Sequence, residues 1–242
     1  MSLTDTQACL IVFAKTPVRG SVKTRMRPFL SEEECLRLHS LLLRLWMRRL
    51  RDWDIGQIHK AVFLTPLSHG AGLPDLMVET PTGVDVETQQ GEDLGERLSH
   101  ALNKKWDDGF RKLVFIGTDS PMLLVEDLRA AFQALEEAEV VLGPTTDGGY
   151  YLIGLSALLP TLFSGISWGT SEVLRETVQR LEADSIRWQR LREGFDLDTY
   201  EDLARFYRLQ NQSASALQGP GDQELVAFVE RIVARFGPPQ CL

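Results

Sequence analysis

The run Cys-Leu-Ile-Val-Phe-Ala at Cys9–Ala14 contains no polar residue that would give it a wet side. A strand with one solvated face alternates apolar and polar side chains. A short continuous apolar run instead belongs to a strand buried on both faces, which implies a parallel sheet covered by helices. The run stops abruptly at a loop holding Lys15, Arg19, Lys23, Arg25 and Arg27, with Gly20 in its middle. The whole chain carries a formal net charge of −8, so five cations in one loop run against its overall balance. Ligands of open α/β sheets bind beyond the carboxyl ends of the strands, where a cationic, glycine-containing loop suits phosphate groups. A solvated basic loop has the same composition.

The rest of the chain repeats the alternation. Ser31–Glu34 has capping-box spacing and opens a leucine-rich helical segment reaching about Leu50. Ala61–Thr65 reads as a strand, followed by a Pro/Gly-punctuated loop through Pro74. Val84–Thr88 reads as a short strand before Gly91–Arg97 (G-E-D-L-G-E-R), which opens a helix to about Trp106. Strands follow at Lys112–Ile116, Val140–Leu142 and Tyr150–Leu155, with helices at Val125–Ala138, Gly169–Leu181 and Thr199–Leu209. This succession predicts an α/β fold, a three-layer α/β/α sandwich on a mostly parallel, Rossmann-like sheet. The polar, Gly/Pro-bearing segment 211–222 reads as a linker. It would separate a main domain at 1–210 from a C-terminal helical appendage at 223–242, whose amphipathic Glu224–Phe236 packs on the domain or on a partner.

Composition narrows the function classes. An acidic chain argues against nucleic-acid or anionic-membrane partners. Cys9, Cys35 and Cys241 lie far apart with no C-x-x-C pair, which suggests neither a disulfide framework nor a thiolate metal site. With no cationic n-region and no apolar run long enough to span a membrane, the expectation is a cytoplasmic protein. His39, His59, His69 and His100 show no ligand spacing and read as structural or exposed. Arg44, Arg48, Arg49 and Arg51 read as the solvated face of the first helix. No Ser/His/Asp or Cys/His pattern in a recognisable context supports a hydrolytic nucleophile.

Four loops remain as carriers of chemistry. The basic loop is the first. The second is Gly117–Pro121 (G-T-D-S-P), where Asp119 follows a strand and Gly117 permits close backbone approach. A carboxylate there suits Mg²⁺ or Mn²⁺ shared with phosphates, or alternatively a helix cap. The third is Gly143–Tyr150, in which Asp147 precedes Gly148 and Gly149. That arrangement fits a ligand-facing turn or an ordinary D-G turn between two strands. The fourth is Asp196–Leu203, where Asp198 has capping-box spacing to Glu201. Asp196 and Asp198 reach a shared metal only if the fold brings them beside Asp119. Trp168, in Trp168–Ser171 (W-G-T-S), either presents an aromatic ring to a base or sugar or packs in the core, with Thr170 or Ser171 as a cap.

These loops in this order resemble a bacterial group of glycosyltransferase-like proteins named as nucleotide-diphospho-sugar transferases, some of them for arsenosugar biosynthesis. The resemblance runs from about Ile11 to Leu203. The group is similar to the wider glycosyltransferase-A superfamily, which binds a nucleotide with a divalent cation and also contains molybdenum-cofactor and phospholactate guanylyltransferases. On this resemblance Lys15, Gly20, Lys23, Thr24 and Arg25 fall on the first loop of the family. Asp119 falls on its G-T-D-S-P motif, Asp147–Tyr150 on D-G-G-Y, and Asp198 on D-x-D-T. Arg19 departs from the pattern, which has a small residue or proline before the glycine.

The resemblance implies a nucleotide or nucleotide-sugar ligand, a small-molecule acceptor, and Mg²⁺ or Mn²⁺ at Asp119 and Asp198. Lys23, Arg25, Asp119 and Asp147 are the candidate catalytic groups. Lys15, Arg19, Gly20, Thr24, Gly117, Thr118, Gly148, Gly149, Tyr150 and Trp168 join Lys23 and Arg25 as candidate nucleotide or phosphate contacts. In one mechanism a glycosyl group leaves a nucleotide-diphospho-sugar, with Asp147 or Glu96 as base. In the other, an acceptor phosphate attacks a nucleoside triphosphate and pyrophosphate leaves toward Lys15, Lys23 and Arg25. Five cations suit a triphosphate at least as well as a diphosphate. A non-catalytic nucleotide-binding module is the third reading.

Overall fold

The structure is a computed structural model that describes residues 8–67, 81–212 and 220–237. Seven strands form one sheet in the order β3-β2-β1-β4-β6-β5-β7. They are β1 (Ala8–Ala14), β2 (Ile58–Leu64), β3 (Val84–Thr88), β4 (Lys112–Gly117), β5 (Val140–Pro144), β6 (Tyr150–Leu155) and β7 (Trp188–Arg190). β1 pairs parallel with β2 and β4, β2 with β3, and β5 with β7, while β6 runs antiparallel between β4 and β5. The carboxyl ends of β1, β4 and β5 and the start of β6 therefore meet along one edge.

The helices are α1 (Glu32–Asp52), α2 (Leu94–Asp107), α3 (Val125–Ala134), α4 (Val173–Ala183), α5 (Tyr200–Gln212) and α6 (Pro220–Phe236). Alternate residues of β1 serve opposite faces. Leu10, Val12 and Ala14 pack with Leu43, Trp46 and Leu50 of α1 and Leu128 of α3. Cys9 and Ile11 pack with Leu98 and Leu102 of α2 and Leu181 of α4. Burial on both sides is what the unbroken apolar run required. On the far side of α1, Leu38, Leu42 and Leu45 meet Leu203 and Phe206 of α5 and Leu225, Phe228 and Ile232 of α6. The result is a three-layer α/β/α sandwich with additional helices at its C-terminal end.

Several boundaries differ from expectation. The capping box at Ser31 forms, with Ser31 N donating to Glu34 Oε2 at 2.9 Å and Glu34 N donating to Ser31 Oγ at 3.2 Å. α3 ends at Ala134, four residues early, and α4 begins at Val173 because Gly169 turns the chain at φ +79°. β7 had no sequence signal. The expected linker overlaps two helices: residues 211–212 close α5 and 220–222 open α6, while 213–219 lie outside the described residues. Most of the loop through Pro74, together with His69 and Cys241, also lies outside them. Among the described residues no helix is long and apolar enough to cross a membrane.

Candidate active site

The basic loop leaves β1 at Lys15 and returns through a 3₁₀ turn, Thr24–Met26, before α1. Met26 (0% exposed) and Leu30 anchor that return in the core, and Lys23 takes a left-handed conformation (φ 49°) just before it. The side chain of Lys23 is thereby turned inward, with 2% of its surface exposed. Its ammonium lies 2.8 Å from Asp119 Oδ1 and 3.1 Å from Asp198 Oδ1, and donates to Leu197 O at 2.6 Å. Leu197 N in turn donates to Asp119 O at 2.8 Å. The basic loop, the loop after β4 and the segment before α5 are thus tied at one point.

Charge balance follows from this packing. Burial alone would lower the Lys23 pKa, but the two carboxylates hold it above the usual lysine value. Asp119 shows the mirror effect: its enclosure favours the neutral acid, and Lys23 holds it below the ordinary carboxylate range. Both carboxylates keep about a third of their side-chain surface open (35% and 33%). Asp196 is pushed up to about 7 by burial, against the hydrogen bond it accepts from Ser120 Oγ.

The three segments form the head of a cavity of about 780 Å³. Lys15, Lys23, Thr24, Arg25, Asp196 and Asp198 line it from the basic loop and the segment before α5. Gly117, Thr118 and Asp119 line it from the end of β4. Arg25 is 3.6 Å from Asp198 Oδ2 and donates to Gly169 O at 3.0 Å. Lys15 is exposed, and its ammonium has no ion-pair partner among the described residues. Arg19, Gly20 and Arg27 stand apart from the cavity. Arg19 and Arg27 each lie 3.6 Å from Glu32, and Gly20 offers its carbonyl to Arg27 in a turn at φ +79°. Of the five cations in this loop three line the cavity, and the other two pair with Glu32 at the start of α1.

The opposite wall is the β5–β6 hairpin and the loop before α4. Asp147 Oδ1 accepts from Thr145 Oγ1 at 2.6 Å and Gly149 N at 3.2 Å. It is a turn-stabilising carboxylate that nevertheless lines the cavity, with Gly149 and Tyr150 beside it. Gly148 lies behind this wall. At φ +87°, a Cβ there would fall 2.2 Å from Ser171 O, so only glycine lets the two loops meet. Trp168 packs edge-on to Tyr150 with ring centroids 6.2 Å apart, and its indole N–H is buried without a partner among the described residues. A Cβ on Gly95 would come within 2.7 Å of that nitrogen, which accounts for the second glycine of G-E-D-L-G-E-R.

Other sequence candidates change role. Glu96 accepts from Glu92 N at 2.8 Å at the start of α2, which sets it apart from the cavity as a base. Asp198 does not cap α5. Thr199 and Asp202 form that cap instead, Asp202 N donating to Thr199 Oγ1 at 3.3 Å and Thr199 N to Asp202 Oδ2 at 2.8 Å. Arg49 is not on a solvated face: it is 6% exposed and donates to Pro121 O at 2.7 Å. Sequence reasoning also missed Gln89. It is 4% exposed at the cavity end beyond β3, and its Nε2 donates to both Ala14 O (3.0 Å) and Phe63 O (2.8 Å). With both hydrogens engaged, its oxygen is left as the group available to a ligand. Only its position one residue past a strand could have signalled it.

Comparison with known proteins agrees with this architecture. The chain is 24% identical over 192 residues to a 2-phospho-L-lactate guanylyltransferase from Methanocaldococcus infernus, covering 78% of this chain and 80% of that one. Its structure superposes with a TM-score of 0.81 and 28% identity on a "putative nucleotide-diphospho-sugar transferase" from Desulfovibrio desulfuricans G20, covering 93% and 97% of the two chains. A cytidylyltransferase from Leptospira borgpetersenii serovar Hardjo-bovis shares the fold at a TM-score of 0.53 and 15% identity, over 98% and 99% of the chains. Residues 54–170, which include Asp119 and Asp147, match the model of DUF2064, described as an uncharacterized protein conserved in bacteria, and the chain carries that match within a nucleotide-diphospho-sugar transferase fold.

Proposed function

We propose that the protein is a transferase that moves a glycosyl group from a nucleotide-diphospho-sugar to a small-molecule acceptor, assisted by Mg²⁺ or Mn²⁺. The observation that carries this reading is the convergence of Lys23, Asp119 and Asp198 at the head of a cavity of nucleotide size.

The donor set fits a divalent cation. Asp119 and Asp198 carry two negative charges against the one ammonium of Lys23, and each keeps about a third of its side-chain surface open. Among the described residues no group of three or more His, Cys, Asp or Glu could hold a metal by itself, so phosphate and water would have to complete the shell. Mg²⁺ is typically held that way, by one or two carboxylates with phosphate and water completing the shell. When bound by Asp119 and Asp198, such an ion supplies Lewis-acid neutralisation of a departing diphosphate.

The protein's own groups divide the remaining tasks. Lys15 and Arg25 bind the phosphates, and Lys23 keeps the two carboxylates together. Asp147, on the opposite wall, takes the proton of the acceptor hydroxyl onto its carboxylate. The acceptor oxygen bonds to the anomeric carbon, the bond from that carbon to the phosphate oxygen breaks, and the nucleoside diphosphate leaves. Charge favours this reading. Lys23 is neutralised twice over and Arg19 and Arg27 face elsewhere. Lys15, Arg25 and Arg97 are the other cations along the cavity among the described residues, a set that suits a diphosphate better than a triphosphate together with a phosphorylated acceptor.

Nucleotidyl transfer is the second reading, favoured by the guanylyltransferase relative. There an acceptor phosphate oxygen attacks the α-phosphorus and pyrophosphate leaves. The test is a thermal-shift panel of nucleoside triphosphates and nucleotide-sugars with Mg²⁺ or Mn²⁺, followed by product analysis with acceptors. Release of a nucleoside diphosphate with a glycosylated acceptor is expected. Pyrophosphate release would replace the first reading with the second, and no shift with any ligand would remove both.

A further inference from the structure

One face of α1 carries a row of buried polar side chains, each of which grips a backbone carbonyl in a loop of the site. Cys35 Sγ donates to Lys23 O at 3.4 Å, and His39 Nε2 lies 2.8 Å from Lys15 O. Trp46 Nε1 donates to Thr118 O at 3.1 Å, and Arg49 donates to Pro121 O at 2.7 Å and to Leu123 O at 3.3 Å. The four residues are 1%, 3%, 0% and 6% exposed. Their spacing of four, seven and three residues keeps them on one side of the helix. A single rigid element therefore sets the relative positions of Lys15, Lys23 and Asp119.

Arg49 is the most heavily engaged member. Its guanidinium lies 5.1 Å from the ring of Trp46 and 4.8 Å from that of Trp53. It is 3.9 Å from Asp222 Oδ1 at the start of α6, and its burial lowers its pKa to about 10. A buried cation is tolerated when paired and hydrogen-bonded, and a guanidinium does this as a planar fork that an ammonium cannot copy. The turn it holds, Thr118–Leu123, contains Asp119, whose own carboxylate faces the cavity.

We propose that Arg49, backed by Asp222 of α6, is the positioning residue for Asp119, so that the C-terminal helix acts on the site through one buried guanidinium. The claim rests on the reading of Asp119 as a cation ligand. It predicts that Arg49 governs the metal-dependent part of phosphate binding and leaves the contacts of Lys15 and Arg25 alone.

The test compares wild type, Arg49→Lys and Asp222→Asn in two measurements. The first is amide hydrogen exchange across Thr118–Leu123, which needs no ligand. The second is affinity for inorganic pyrophosphate, which carries two phosphates and no base, with Mg²⁺ and in EDTA. Arg49→Lys should speed exchange in that turn at least tenfold while β1 and β4 stay protected. It should also cut the Mg²⁺ enhancement of pyrophosphate affinity at least tenfold, with EDTA affinity within twofold of wild type. Asp222→Asn should shift both in the same direction by less, and it carries the test alone if Arg49→Lys does not fold. Unchanged exchange in the turn, or a retained Mg²⁺ enhancement in a less stable variant, would overturn the proposal and leave Arg49 a structural residue only. A wild-type protein that shows no Mg²⁺ enhancement would instead sink the metal reading of Asp119, and the claim that rests on it.

Discussion

Replacing Lys23 by methionine removes the ammonium that Asp119 and Asp198 share while keeping most of the side chain's volume. At an effective dielectric of about 20, an ammonium 2.8 Å and 3.1 Å from two carboxylates gains roughly 11 kcal/mol of gross attraction. Desolvating the three ions cancels most of this, and removing one partner of a buried pair costs about 3–5 kcal/mol. Because Asp119 and Asp198 are a third exposed, solvent screening reduces the expected loss to about 2–4 kcal/mol. For a chain of this size that is a fall in melting midpoint of roughly 4–16 °C near neutral pH.

The pH dependence has a definite sign. Asp119 is held below its ordinary value, so its contribution is complete above the unfolded carboxylate range and disappears as pH falls through the folded value. Lys23 is held above its ordinary value, so its contribution is complete below the unfolded lysine range and disappears as pH rises through the folded value. The difference between wild type and Lys23→Met should thus be widest from about pH 5 to 10 and shrink at both ends. Mg²⁺ should recover part of the loss at pH 7 by supplying the missing positive charge. Urea titrations at pH 3.5, 7 and 7 with Mg²⁺ measure all three quantities. A penalty that is the same at every pH and indifferent to Mg²⁺ would mean that Lys23 packs there without holding the carboxylates, and the electrostatic account would fail.

Three further outcomes follow from the same geometry. Lys15→Ala should leave stability within about 0.5 kcal/mol of wild type, because the side chain is exposed and unpaired among the described residues. It should weaken nucleoside diphosphate binding about tenfold by calorimetry, and unchanged binding would remove Lys15 from the phosphate site. Gly148→Ala should cost about 1–3 kcal/mol in chemical denaturation through its left-handed backbone and its collision with Ser171 O, a cost that a merely flexible turn would not show. Asp196→Asn probes the carboxyl raised to about 7. Between about pH 4 and 7 the unfolded chain loses the Asp196 proton while the folded protein keeps it, so this residue makes wild type less stable as pH rises. Measured in EDTA, the variant should gain on wild type across that interval and hold the gain above it. A constant difference would place the proton elsewhere.

The amino-acid sequence alone determined the layers of this protein and the loops that matter. Unbroken apolar runs at Cys9–Ala14 and Leu113–Ile116 mark strands buried on both faces, and Ser31 with Glu34 fixes the start of α1, because these signals are local: periodicity, burial and caps act within a few residues. Asp119, Asp147 and Asp198 could be named as candidates for the same reason, since each follows or precedes a recognisable element. The tertiary structure alone decided what those residues do to one another. Lys23 meets Asp198 across 175 positions, Glu32 draws Arg19 and Arg27 away from the cavity, Asp202 takes over the cap of α5 and so leaves Asp198 to Lys23, and Arg49 turns inward on a helix face that composition marks as wet. Charge pairing and carbonyl capture depend on distances through space, and a string of residue types carries no record of which cation reaches which oxygen first.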